Sequence, residues 1–136
     1  MTVKEYLGQA RFLNLFLDVK LAQIKELKSQ AEKSAIILND DRGKADTLER
    51  FKQLEEKIQG EMNHLLDLKM EIIDTISRVD DDECRLILEK RFLNGQKYCE
   101  IAEDMYMSEK SVYRIQDKAF KKIVEIKNKM TGDGME

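Results

Sequence analysis

The chain has 136 residues, 38% of them charged and 42% hydrophobic, with no proline and a formal net charge of −3. That suits one domain or two small helical units, is too apolar for wholesale disorder, and in a chain rich in Leu, Ile, Glu and Lys points to long helices. Asn14 and Asp18 interrupt the run from Phe12 to Val19, so the pattern is neither a signal peptide nor a membrane span, and Cys84 and Cys99 lack CxxC or His companions; a cytoplasmic setting is expected, against a disulfide framework or a zinc site.

Charge is uneven along the chain. Residues 1–84 carry 13 Lys/Arg against 18 Asp/Glu, and residues 85–131 carry 11 against 7. A basic C-terminal part joined to an acidic body suggests a polyanionic partner for the former.

From the start, residues recur at alternating steps of three and four: Val3, Tyr6, Ala10, Leu13, Leu17, Lys20, Ile24, Leu27, Ala31, Ser34, Leu38. Only Lys20 and Ser34 break an apolar seam of coiled-coil type. Turn formers between Asn39 and Asp46, centred on Gly43, are expected to end this helix. The second series is Leu48, Phe51, Glu55, Ile58, Met62, Leu65, Lys69, Ile72, Ile76, Val79. Asp46 is its expected N-cap, with Glu49 as capping-box partner. A short link between similar helices predicts antiparallel packing. Folding about Gly43 would set Lys20 opposite Leu65, Leu27 opposite Ile58 and Tyr6 opposite Val79. Gly60 marks a bend or weak point inside the second helix. Phe12, Phe16, Leu54, Leu66, Leu68 and Ile73 lie off the seam and must meet either the C-terminal unit or a second copy of the chain; self-association, a homodimer through the N-terminal hairpin, is the favoured expectation.

Residues 80–83 read Asp-Asp-Asp-Glu. Consecutive carboxylates cannot converge on one ion, and the segment reads as a helix N-terminus with Asp80 as cap and Glu83 at the third position. That helix is expected to run to Leu93 and stop at Asn94-Gly95.

Next, Tyr98, Ile101, Ala102 and Met105 occupy one face of a short helix. Ser108 is a strong N-cap for another helix, beginning at Glu109, whose apolar stripe is Val112, Ile115, Ala119, Ile123 and Ile126. Two helices joined by so short a turn form a helix-turn-helix. The second helix has a contrasting face of Lys110, Arg114, Lys118, Lys121 and Lys122, with Glu109, Ser111 and Tyr113 in its first turns. A helix that enters a major groove needs side chains near its start to reach base edges and cations to neutralise phosphates. Arg114 is the candidate for a bidentate guanine contact. The candidate DNA-binding set is therefore Lys97, Ser108, Glu109, Lys110, Ser111, Tyr113, Arg114, Lys118, Lys121 and Lys122, with Arg91 as a further backbone contact. Tyr113 reads equally as a flank beside Phe120 and Val124.

The stretch from Arg85 to Phe120 resembles region four of sigma factors, and more closely the ArpU/RinA-type phage and prophage transcriptional regulators. The matching residues are Arg85, Ile87, Leu88, Arg91 and Phe92; then Tyr98, Ile101, Ala102 and Met105; then Ser108, Lys110, Val112, Arg114 and Ala119. The likeness covers about 36 of the 136 residues. In the N-terminal half it is one of pattern only. It implies a regulator that binds double-stranded DNA and acts in phage or prophage transcription, with RNA polymerase as a further candidate partner. Tyr106 departs from the pattern, standing where relatives usually have Gly or Asn. Lys110 replaces the common Arg and weakens base reading there.

The whole reads as an all-α protein: an antiparallel coiled-coil hairpin over residues 1–79, then a helix-turn-helix domain over 80–131. An enzyme is not expected. His64 stands without a nucleophile or metal-ligand partner, and no Gly-rich phosphate loop is present. No cofactor, metal or membrane partner is expected. Two other functions fit the same architecture: a packaging adaptor of small-terminase type, and a sigma-like adaptor acting through protein contacts.

Overall fold

The computed structural model describes the backbone of residues 1–37 and 41–131 and the side chains of residues 1–34 and 43–130. Helix α1 spans Val3–Ile37, α2 Asp41–Ser77, α3 Asp82–Leu88, α4 Tyr98–Asp104 and α5 Glu109–Thr131; a π-helical turn, Glu89–Leu93, prolongs α3. The fold is all-helical, with α1 and α2 packed antiparallel and followed by the shorter helices of a small domain. No helix among the described residues is long and apolar enough to cross a membrane.

Thr2 caps α1, its hydroxyl accepting the backbone N–H of Glu5 at 3.2 Å. The three-four series then forms the inward face. Val3, Tyr6, Ala10, Leu13, Leu17 and Leu27 are buried, while Lys20, Ile24, Ala31 and Ser34 are half-buried. On α2 the series holds from Phe51 to Ile76, and only Leu48 stands exposed; Leu38 lies outside the described residues.

The turn expected at Asn39–Asp46 is placed differently. Helix α2 begins at Asp41, so Gly43 and Asp46 lie inside it and Asp46 caps nothing. Propensity at a few residues is a weak determinant, and a glycine costs only about 1 kcal/mol within a helix. The earlier start shifts the register by one helical turn. Lys20 pairs with Glu61, where Leu65 was expected, and Tyr6 meets Thr75, where Val79 was expected.

Contacts divide the chain into two compact units, one of residues 13–67 and one joining residues 1–12 to those from Leu68 onward. The first turns of α1 and the last turns of α2 thus belong with the C-terminal helices. In this second unit α3 packs on α5, with Cys84, Ile87, Leu88 and Phe92 against Ile115, Ala119 and Ile123 all buried. Phe120 meets Phe92 at 5.9 Å between ring centroids, rather than flanking Tyr113.

One cluster in this unit joins three helices. Lys127 of α5 is only 7% exposed. Its ammonium donates to Glu71 at 2.8 Å and lies 4.5 Å from the centre of the Tyr6 ring. The Tyr6 hydroxyl donates to the same Glu71 oxygen at 3.2 Å and lies 3.2 Å from the Thr75 hydroxyl. Burial opposes the Lys127 charge, yet Glu71 and Tyr6 together outweigh it and hold the ammonium above its ordinary pKa. The hydrogen bond from Lys127 holds Glu71 below the usual carboxylate range, and burial pushes the Tyr6 phenol up.

Glu71→Ala removes the carboxylate on which the phenol and ammonium converge. It should lower stability by about 1–3 kcal/mol, measured by urea unfolding. Lys127→Met, which removes the buried charge itself, should cost less.

Candidate nucleic-acid interface

The C-terminal helices form the expected bihelical unit. Asp81, one residue after the expected Asp80, is the N-cap of α3 and accepts the Cys84 N–H at 3.0 Å. That places Glu83 in the first turn, beside the positive helix end. The π-helical turn ends at Asn94 and Gly95, with Gly95 at φ +69°. Arg91 is held in this bend, donating to the Gln96 carbonyl at 2.9 Å and lying 4.3 Å from the centre of the Tyr98 ring. The guanidinium has no ion-pair partner among the described residues, and its remaining N–H groups are not committed by these contacts.

Helix α4 starts after Lys97, whose backbone N–H donates to Glu100 at 3.3 Å. Ile101 and Ala102 are buried where α4 packs on α5. The turn between the helices is closed by two backbone bonds, Tyr106 N–H to Glu103 and Met107 N–H to Ala102, at 3.2 and 3.0 Å. This pairing requires a left-handed residue after the helix, usually glycine. Tyr106 supplies it at φ 54° with its side chain 97% exposed. The departure from Gly or Asn therefore leaves the left-handed turn in place. Ser108 then caps α5, accepting the Ser111 N–H at 3.1 Å.

Along α5 the buried face is Val112, Ile115, Gln116, Ala119 and Ile123. Opposite it, at steps of four, three and four, run Lys110, Arg114, Asp117 and Lys121, all exposed. Such spacing places them on one line of the helix. Lys110, Arg114 and Lys121 have no ion-pair partner among the described residues.

The other candidates separate from this line. Lys118 pairs with Asp81 and Lys122 with Asp80, each at 3.2 Å. These two lysines are turned toward the start of α3, where they fasten α5 to the segment after α2. Tyr113 is half-exposed and stacks on Tyr98, with ring centroids 4.3 Å apart. The Tyr98 hydroxyl donates to the buried Gln116 at 2.9 Å. Tyr113 is thus the outer layer of a fixed stack, beside the line rather than on it. Glu109 is exposed in the first turn, and Ser111 is half-buried near the cap. Lys97 is exposed at the start of α4.

Asp117 and Gln116 are the residues the sequence reading passed over. Asp117 interrupts the cationic line, and its spacing from Arg114 and Lys121 was the available signal. Gln116 is a polar residue on the buried face, detectable only through its partner Tyr98.

Comparison of the chain with protein-family models, curated proteins and solved structures finds no significant match. Among the described residues no group of His, Cys, Asp and Glu side chains could hold a metal ion.

The carboxylates that fasten α5 titrate low. The Cys84 N–H and the Lys118 ammonium bring Asp81 from 3.8 to about 2, and Lys122 lowers Asp80. A depressed folded pKa contributes stability that is full above the ordinary value and lost as pH falls through the folded one. The melting temperature should therefore drop between pH 3.8 and about 2. Asp81→Asn, which keeps a capping oxygen but removes the charge, should flatten that drop. Separately, Tyr106→Gly relieves a side chain in the left-handed region and should raise stability by about 1 kcal/mol in chemical denaturation.

Proposed function

We propose that the chain is a sequence-specific double-stranded DNA-binding protein of the helix-turn-helix type, with the first turns of α5 in the major groove. The supporting observation is the exposed line of Lys110, Arg114 and Lys121 on the helix that follows a tightly closed turn. A helix used this way must be rigidly held on one side and bare on the other. Here α3 and α4 hold α5, while its opposite face has cations free to meet phosphates and base edges. Arg114, one turn into the helix, carries the planar fork suited to guanine. Lys121, two turns further on, suits a phosphate. Asp117 between them disfavours an unselective polyanion and would repel a misaligned backbone. The resemblance of residues 85–120 to sigma region four and to ArpU/RinA-type regulators agrees with this reading, and it suggests a role in phage or prophage transcription.

Selection of bound duplexes from a random pool tests it directly: recovery of a common sequence is the expected result, and no enrichment would refute the reading. On the selected site, Arg114→Ala should cost about 1–3 kcal/mol and relax preference at one base pair. Lys121→Ala should weaken all duplexes alike and reduce the salt slope by about 1, measured by fluorescence anisotropy across salt concentrations. Lys118→Ala and Lys122→Ala should change the slope less, since Asp81 and Asp80 already engage those ammonium groups.

A further inference from the structure

We propose that the hairpin unit of residues 13–67 is an interface between two copies of this chain, formed by the outer face of α1 and the groove beside it. The inference does not depend on the DNA reading.

The two helices of this unit differ in how much apolar side chain they leave in water. On α2 the outward residues Lys52, Gln53, Glu56, Gln59, Asn63 and Asp67 are polar and exposed, and the apolar Leu48, Leu54 and Leu66 are 38–46% exposed. On α1, Leu13 and Leu17 are buried in the seam, but Leu15, Phe16, Val19 and Leu21 are also apolar and stand 51–55% exposed. Among the charged residues of α1 such as Asp18 and Lys25, this apolar strip on the solvent side marks a surface that a partner covers. Beside this face lies an open groove of about 680 Å³, walled by Val19, Ala22 and Gln23 on α1 and by Leu54 and Lys57 on α2, with Leu27 and Ile58 among its lining. Half-exposed, Leu15, Phe16, Val19 and Leu54 leave roughly 350 Å² of apolar side chain in water. One side of a stable interface covers about 800 Å², a little over half of it apolar. The exposed area is thus close to the apolar share that one partner must contribute.

Charge selects a second copy as the occupant. Glu26, which accepts the Gln30 amide at 3.3 Å, lines one wall of the groove, and Lys57, whose charge reaches Glu61 only at longer range, lines the other; neither has an ion pair within 4.0 Å among the described residues. A twofold interface sets each surface against itself, so residue i meets j and j meets i. A face carrying one carboxylate and one ammonium, neither in a close ion pair, can pair both charges on an identical face. A partner of single sign would leave one of them opposed.

The test is the mass of the full-length protein without DNA, by light scattering and sedimentation. The expected result is twice 16.0 kDa at micromolar concentration. Val19→Asp with Leu54→Asp should raise the dissociation constant about tenfold or more, with helicity unchanged by circular dichroism because both positions are exposed. Glu26→Lys should weaken the dimer, and adding Lys57→Glu should restore it. The proposal is overturned by a single-chain mass at about 100 μM, by an assembly larger than two, by a dimer indifferent to the aspartate pair, or by failure of the charge exchange to restore association. A monomer that binds anionic lipid vesicles through this face would overturn it equally.

Discussion

A lysine ammonium cannot remain charged in an apolar interior without a partner, and much of the C-terminal unit is organised around that constraint. Lys127 sits near the end of α5, buried, and Glu71 of α2 neutralises it. Tyr6 of α1 covers the ammonium with its ring and shares the same carboxylate through its hydroxyl. Three helices distant in sequence are thus held by one charge and the groups that solvate it. An apolar contact tolerates sliding, whereas a hydrogen-bonded charge at 2.8 Å does not. The cluster fixes the end of α5 on the base of the hairpin, while Ile115, Ala119 and Ile123 supply the apolar burial.

The lysines of α5 have divided roles as a result. Lys127 is structural, and Lys118 and Lys122 clamp the helix to Asp81 and Asp80. Of the exposed cations without an ion pair among the described residues, Lys110, Arg114 and Lys121 share one line, and Lys129 lies in the last turns beside Lys122. An isolated basic helix carries its positive charge all round. Here Lys118, Lys122 and Lys127 are engaged by carboxylates of the same protein, and the free cations of the first three turns face one direction. The stack of Arg91, Tyr98 and Tyr113 stiffens the flank of that line, and Gln116 anchors the stack from the buried side.

Legibility in the sequence followed the strength of the underlying physical pattern. The seam residues of both long helices were readable because burial of one helical face imposes a period that survives exceptions such as Lys20 and Lys69. The cap at Ser108 and the break at Gly95 were readable because helix ends leave backbone groups that few residue types can satisfy. Asp81 in place of Asp80 shows the limit: either aspartate could cap, and the choice depends on where the chain leaves Val79. The hairpin register failed by one turn for a similar reason. Asp41, Arg42 and Gly43 look like turn residues locally, but their preferences are weak beside the hydrogen bonds and packing of a continuing helix.

Local order along the chain was thus determined by the amino-acid sequence on its own: helical type, approximate lengths, inward faces and a basic second helix in a bihelical unit. Helical type and ends arise from interactions between near neighbours, and the inward faces from a burial requirement that imposes the helical period, so both are written directly in spacing. The tertiary structure alone decided which cations are free. Lys118 and Lys121 are the same residue type three positions apart, yet one is paired across 37 positions of chain and the other is not. Such pairing depends on which distant carboxylate arrives beside a given side chain, and no periodicity encodes that arrival.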